Sequence, residues 1–236
     1  SAIFGLGTVA SLWILGRNVS QNPKAEDQRP KTSFARYLAL IASSTLGILV
    51  FSHGASFDIN ITFPMTAALV SFFLFDQRTS KQINVQTPAT AGGTDLLSAP
   101  PRHRVALSLL LFYFFIGVAL LAKGLIGIIF PFAIVAFYHV LSWKLPSKTF
   151  VASIFWGTAI AVAVASVWYV PVYLRNGWQF LDNFFVQHHF QRFTTNHFQH
   201  PHPFYFFLWV LPLLTPPWAP FLTPPYRNLV RGLLPR

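Results

Sequence analysis

Uncharged apolar runs long enough to cross a bilayer constrain this chain more than any motif it carries. Residues 105–122, VALSLLLFYFFIGVALLA, contain no ionisable group except a tyrosine. About 20 mainly apolar residues suffice for a helix to span the hydrocarbon layer. Comparable runs recur, and hydropathy predicts seven membrane segments at roughly 1–16, 37–54, 60–76, 105–122, 124–143, 149–173 and 204–222. The chain is 53% hydrophobic and 10% charged, whereas a soluble domain carries about 25% charged residues. The expected fold is therefore an all-α membrane protein, a polytopic bundle of about seven transmembrane helices forming a single transmembrane domain over residues 1–236.

The net charge of +11 suggests nucleic acid at first sight. The cations, however, sit in short polar gaps between apolar runs, where membrane topology places them, so nucleic acid is excluded as a partner. Of 17 Lys and Arg, 14 fall on one side: Arg17, Lys24, Arg29, Lys31, Arg36, Arg78, Lys81, Arg102, Arg104, Lys144, Lys148, Arg227, Arg231 and Arg236. By the positive-inside rule that side is cytoplasmic. Lys123, Arg175 and Arg192 are left for the opposite, trans side. The linker-like stretch QTPATAGGTDLLSAPP lies in a predicted flexible cytoplasmic loop at about 77–104. With no cysteine, the chain can form no disulfide or thiolate site. No basic leader or cleavage site precedes the first apolar run.

Each trans-side connection carries an ionisable group. Asp58 lies in GASFDINIT between the second and third segments, and Lys123 lies in AKGLIG between the fourth and fifth. The long trans loop, about 174–203, holds Arg175, Arg192 and five of the eight histidines. Within it, GWQFLDNFFVQHHFQRF (177–193) spaces Trp178, Leu181, Phe184, Phe185 and His188 at i, i+3, i+4 and i+7, as an interfacial helix would. His189 and Arg192, three apart, can meet one ligand, and an Arg fork suits phosphate. Rings that merely settle at the headgroup level explain the same composition. His200 and His202 are close enough for a metal, but the prolines around them give no zinc-finger or zincin spacing. Lys123 beside Gly124 and Gly127 reads as a snorkelling lysine at a tight reversal or as a cation placed for a phosphate at the membrane surface. Asp58 reads as a turn residue or as a carboxylate for a substrate hydroxyl, amine or metal.

Four stretches then carry a resemblance in order: SLWILGRNV, GASFDINITFPMTAAL, GVALLAKGLIGIIFP, and YLRNGWQFLDNFFVQHHFQRFTTNHFQHPHPFYFF followed by LPLLTPPWAPFL. Together they resemble the protein O-mannosyltransferase and lipid A aminoarabinose transferase superfamily, polyprenyl-phosphate-sugar glycosyltransferases of the GT-C fold. The resemblance implies inverting transfer of a sugar from a polyprenyl-phosphate donor to a protein or lipid acceptor, at the periplasmic face of a bacterial inner membrane. It implies that Lys123 and Arg192, with Arg175 nearby, contact the donor phosphate, and that Asp58 is the acidic residue of a trans-side loop. His189 would correspond to a histidine that helps to hold a divalent metal. Such enzymes begin with an earlier span and a first loop bearing an Asp-Glu pair, which this sequence does not contain, and His188 stands where relatives often have Glu. A middle portion of such an enzyme and a non-catalytic membrane subunit of the same fold, within a larger assembly or binding lipid only, are both consistent with that pattern.

Overall fold

The computed structural model describes residues 1–20, 33–54, 57–86, 101–182, 206, 210 and 213–218. These residues form helices and short connections without a strand, in accord with the all-α expectation. The helices are α1 (Ala2–Ser20), α2 (Ser33–Ser44), α3 (Leu46–His53), α4 (Phe57–Gln86), α5 (Arg102–Lys123), α6 (Ile126–Ser142), α7 (Lys148–Asn176) and the single turn α8 (Trp178–Leu181). By length and hydropathy α1, α4, α5 and α7 can each cross a membrane, and α2 with α3 makes a fifth span if the bent pair counts as one. The 17 residues of α6 are mainly apolar but rise only about 26 Å, short of a ~30 Å hydrocarbon layer. The predicted segment at 204–222 lies mostly outside the described residues.

Two compact units divide the chain, residues 1–59 with 198–236 and residues 60–197. In the first, α1 packs against α2, and Gly16 lies so close to Ala35 that an added Cβ would meet its Cα at 2.7 Å. The predicted span 37–54 is broken, with α2 and α3 meeting at 55° around Thr45. Its sequence supplies the cause. The hydroxyls of Ser44 and Thr45 bond back to the carbonyls of Leu40 and Ile41, at 2.6 Å each, and such back-bonding bends helices. The freed N–H of Leu46 donates to the Pro216 carbonyl at 2.9 Å, and the Trp218 indole donates to Ser44 Oγ at 2.8 Å.

The second unit holds α5, α6, α7 and nearly all of α4. Lipid tails are as apolar as leucine, so helices in a membrane associate through close packing and hydrogen bonds rather than hydrophobic exclusion. Two glycines make that packing close. A Cβ on Gly157 of α7 would overlap the ring of Tyr113 on α5, and one on Gly127 of α6 would overlap the Ala119 backbone. Tyr113, fully buried, reaches across to Ser153 with a 2.9 Å hydrogen bond. Around it stacks an aromatic core in which Phe72 contacts Phe75, Phe112, Tyr138 and Phe150 with centroids 5.1–6.4 Å apart.

Paired residues also give the directions. Tyr113 meets Ser153 and Gly157, Gly117 approaches Ala161 and Val164, and Tyr169 bonds Leu120, so α5 and α7 run parallel. Phe63 faces Phe115, while Arg78 donates to the Arg104 carbonyl and Ser108 Oγ, so α4 runs antiparallel to α5. One end of the unit therefore collects Arg78, Lys81, Arg102, Arg104, Lys144 and Lys148, and the other carries Lys123 and Arg175. The cytoplasmic loop predicted at 77–104 begins later than expected, because α4 continues as helix to Gln86. At about 45 Å its 30 residues exceed the hydrocarbon layer, and the cations of its last turns stand beyond the apolar stretch that hydropathy detects.

Candidate functional site

At the cation-poor end, α5 and α7 finish in the same manner. Lys123 closes α5 and Gly124 follows with φ 66° and ψ −142°, its N–H returning to the Leu120 carbonyl at 2.8 Å. Arg175 lies in the last turn of α7, and Gly177 follows with φ 62° and ψ −154°, its N–H returning to the Tyr173 carbonyl at 2.7 Å. That combination of positive φ with extended ψ is open in practice only to glycine. Each glycine stops its helix abruptly and leaves a cation in the final turn, where the partial negative charge of the helix end favours it.

Tyr169 ties the two ends together. Its hydroxyl crosses from α7 and donates to the Leu120 carbonyl at 3.0 Å, while its ring lies 6.3 Å from that of Phe180 in α8. From that level, at 1.5 Å per residue, Lys123 is about 4.5 Å further along α5 and Arg175 about 9 Å further along α7. Lys123 is half-buried, Arg175 is exposed, and Trp178 beyond it is exposed as well. A long flexible ammonium at the level of the helix ends and a guanidinium fork one turn higher suit a phosphate group at a membrane surface. An exposed indole beside them has the chemistry of the membrane–water boundary.

Of the residues singled out by sequence, the structure brings Lys123 and Arg175 to one end of one helix pair. Asp58 lies in the first turn of α4 and belongs to the first unit; its side chain is outside the described residues. His189 and Arg192, with most of the predicted interfacial helix 177–193, are outside them too; α8 covers Trp178–Leu181. Among the described residues no group of three or more His, Asp or Glu side chains could hold a metal ion. Tyr169 was not singled out by sequence, because a tyrosine inside a 29-residue apolar helix is indistinguishable from a packing residue until its partner is known.

Parallel apolar helices in close contact, cations concentrated at one end and interfacial aromatics at the other define the class: a polytopic helical membrane protein. Within that class, the chain belongs to the family described as 6-pyruvoyl-tetrahydropterin synthase related domain, membrane protein, which matches residues 101–221 and so includes α5, α6, α7 and the helix ends just described. It is also similar to the undecaprenyl phosphate-alpha-4-amino-4-deoxy-L-arabinose arabinosyl transferase of Aeromonas salmonicida (strain A449), with 29% identity over 165 residues. That similarity covers 70% of this chain, and the chain spans about a quarter (26%) of the length of that enzyme. No solved structure matches the chain.

Proposed function

We propose that this chain is the donor-binding part of a membrane glycosyltransferase, and that Lys123 and Arg175 hold the phosphate of a polyprenyl-phosphate sugar at the periplasmic face of a bacterial inner membrane. The observation that carries this reading is the placement of the two cations at glycine-capped ends of one parallel helix pair. The named activity of the Aeromonas relative and the cation asymmetry of the unit support it.

In the proposed reaction an acceptor oxygen attacks the anomeric carbon, the bond from that carbon to the phosphate oxygen breaks, and the sugar is inverted. The hydroxyl proton passes to a carboxylate acting as general base. Negative charge builds on the departing lipid phosphate, where fixed cations lower the barrier because they are already in place. Arg192 would add a second guanidinium and Asp58 a carboxylate for the acceptor hydroxyl. His189 is proposed as a ligand for a divalent ion. The acceptor is a lipid or a protein.

The test is sugar transfer from synthetic undecaprenyl-phosphate sugar by membranes containing the full-length protein, read as released undecaprenyl phosphate. Lys123→Ala and Arg175→Ala should each lower the rate by roughly 10²-fold or more, the effect of removing one donor from a developing anion. Membrane insertion should be unchanged. Full rates in both variants would refute the assignment.

A further inference from the structure

The first unit carries two charges that the transfer reaction does not use. Arg17, in the last turn of α1, and Arg36, in the first turn of α2, are the only Lys or Arg among its described residues. The helices run antiparallel. An added Cβ on Gly16 would lie 2.7 Å from Ala35 Cα, and one on Gly5, towards the start of α1, would lie 2.8 Å from Ser52 Cβ in α3. Successive residues of a helix turn by about 100°. On antiparallel helices that rotation has opposite senses when seen from one end, so the residues that follow a facing pair emerge on the same flank. Gly16 faces Ala35, and Arg17 and Arg36 therefore share a flank, each about 1.5 Å in height from that contact.

The surroundings of the pair point to an anion. Both side chains are exposed. The Arg17 guanidinium lies over the Trp13 indole, 4.8 Å from the ring centroid, which holds a long side chain in place. Arg36 stands against the local field: the start of a helix is partially positive and disfavours a cation, and Arg17 on the same flank repels it as well. Neither helix contains an acidic residue to offset the two charges. Beneath Arg17, Trp13, Ala10, Leu6 and Ile3 follow at helical spacing on one stripe of α1, all exposed and all apolar.

We infer that Arg17 and Arg36 hold the phosphate of one anionic phospholipid, phosphatidylglycerol in its simplest form, where α1 ends and α2 begins. Each guanidinium offers a planar fork of N–H donors to the phosphate oxygens. An acyl chain lies along the apolar stripe of α1, and the indole sits at the headgroup boundary, where tryptophans concentrate. A zwitterionic headgroup presents the same phosphate but brings an ammonium towards two arginines and a positive helix end. The indole face that could receive that ammonium already lies under Arg17. Free phosphate would meet the charges and leave the apolar stripe unused.

Lipid add-back to the delipidated, full-length protein in neutral detergent, read by native mass spectrometry and melting temperature, tests this. The preference of the tightest site for phosphatidylglycerol over phosphatidylethanolamine should fall about five-fold in Arg17→Gln and again in Arg36→Gln, the effect of about one cation each at an anionic lipid surface. Arg36→Gln also relieves the repulsion, so its lipid-free melting temperature should hold or rise, which separates lost binding from lost folding. Arg36→Gln combined with Tyr37→Arg keeps the net charge but turns the cation about 100° away from the shared flank, and it should not restore the preference. Restoration would overturn the inference, because net charge alone would then suffice. So would an unaltered preference in both single variants, or inorganic phosphate that matches the lipid in raising the melting temperature. Glu26 and Asp27, in the connection between the helices, are outside the described residues. Glu26→Gln with Asp27→Asn should leave the dependence on the arginines intact; a several-fold gain in lipid retention would reveal these acids as the arginines' own counter-ions and overturn the inference.

Discussion

Replacing Gly157 with alanine pits two opposite expectations against each other. Helix propensity alone makes the change stabilising, because glycine within a helix costs roughly 0.5–1 kcal/mol relative to alanine. The structure argues the reverse. The new methyl would occupy the space of the Tyr113 ring, which is fully buried and held by Ser153 on one side and by the rings of Phe112, Phe132 and Trp156 on others. Forcing a carbon into a packed core costs about 1–3 kcal/mol. Displacing the ring also endangers the Tyr113–Ser153 hydrogen bond, worth about 0.5–1.5 kcal/mol. Set against the propensity gain, the net loss is about 2 kcal/mol, or about 4–8 °C in melting temperature for a chain of this size.

The assay is thermal unfolding of the detergent-purified protein, followed by tryptophan fluorescence and by loss of the monodisperse species. Tyr113→Leu provides the second arm, since it removes most of the obstructing ring. In that background Gly157→Ala should become neutral or stabilising, giving a coupling energy of about 2 kcal/mol between the two sites. A rise in melting temperature for Gly157→Ala in the wild-type background would refute the close packing of α5 on α7. With it would fall the common level from which Lys123 and Arg175 are measured.

Gly177→Ala should cost about 1–3 kcal/mol through the backbone alone, because the new Cβ would meet no atom within 4 Å and only the φ of 62° opposes it; the melting temperature checks this. Tyr169→Phe removes the bond to the Leu120 carbonyl and should lower stability by about 0.5–1.5 kcal/mol. Because the substitution also loosens the end of α7, sugar transfer in the same preparation should fall while Gly157-dependent packing is kept. Tyr138→Phe leaves Asp76 Oδ2 without the hydroxyl it accepts at 2.9 Å and should destabilise the cation-rich end by about 1–3 kcal/mol, read again as melting temperature.

Hydropathy alone makes the all-helical membrane class legible, since runs such as 105–122 leave no other use for so many uncharged residues. The positions of Lys123 and Arg175 at one end were legible as well, because charge asymmetry between alternate loops encodes direction. Helix ends were less so. The continuation of α4 to Gln86 escapes hydropathy because DQRTSKQ is polar, and a helix that has left the bilayer no longer needs apolar side chains. The bend at Thr45 was written in the Ser-Ser-Thr run, yet a hydropathy window averages over three hydroxyls without registering where they bond. Which glycines matter is illegible in sequence: Gly157 lies under a tyrosine 44 positions away, a pairing that only the fold creates.

Cations at helix C-termini are common for a reason unconnected with substrates, because the helix dipole alone stabilises them by roughly 0.3–1 kcal/mol. Lys123 and Arg175 are each accounted for in that way when taken singly. Taken together they are not. A dipole effect asks only that the charge stand in the last turn; it requires neither that two helices run parallel nor that they be tied near their ends by a cross-helix bond such as Tyr169 to Leu120. It is equally indifferent to the stop that follows, whereas both helices here end in a glycine of nearly the same φ and ψ. Those added constraints restrict where the two charges can be, which costs backbone freedom and packing options. Such a cost is intelligible if one anion must be met from two directions, and it makes the paired charge-removal variants a sharper test than either single change.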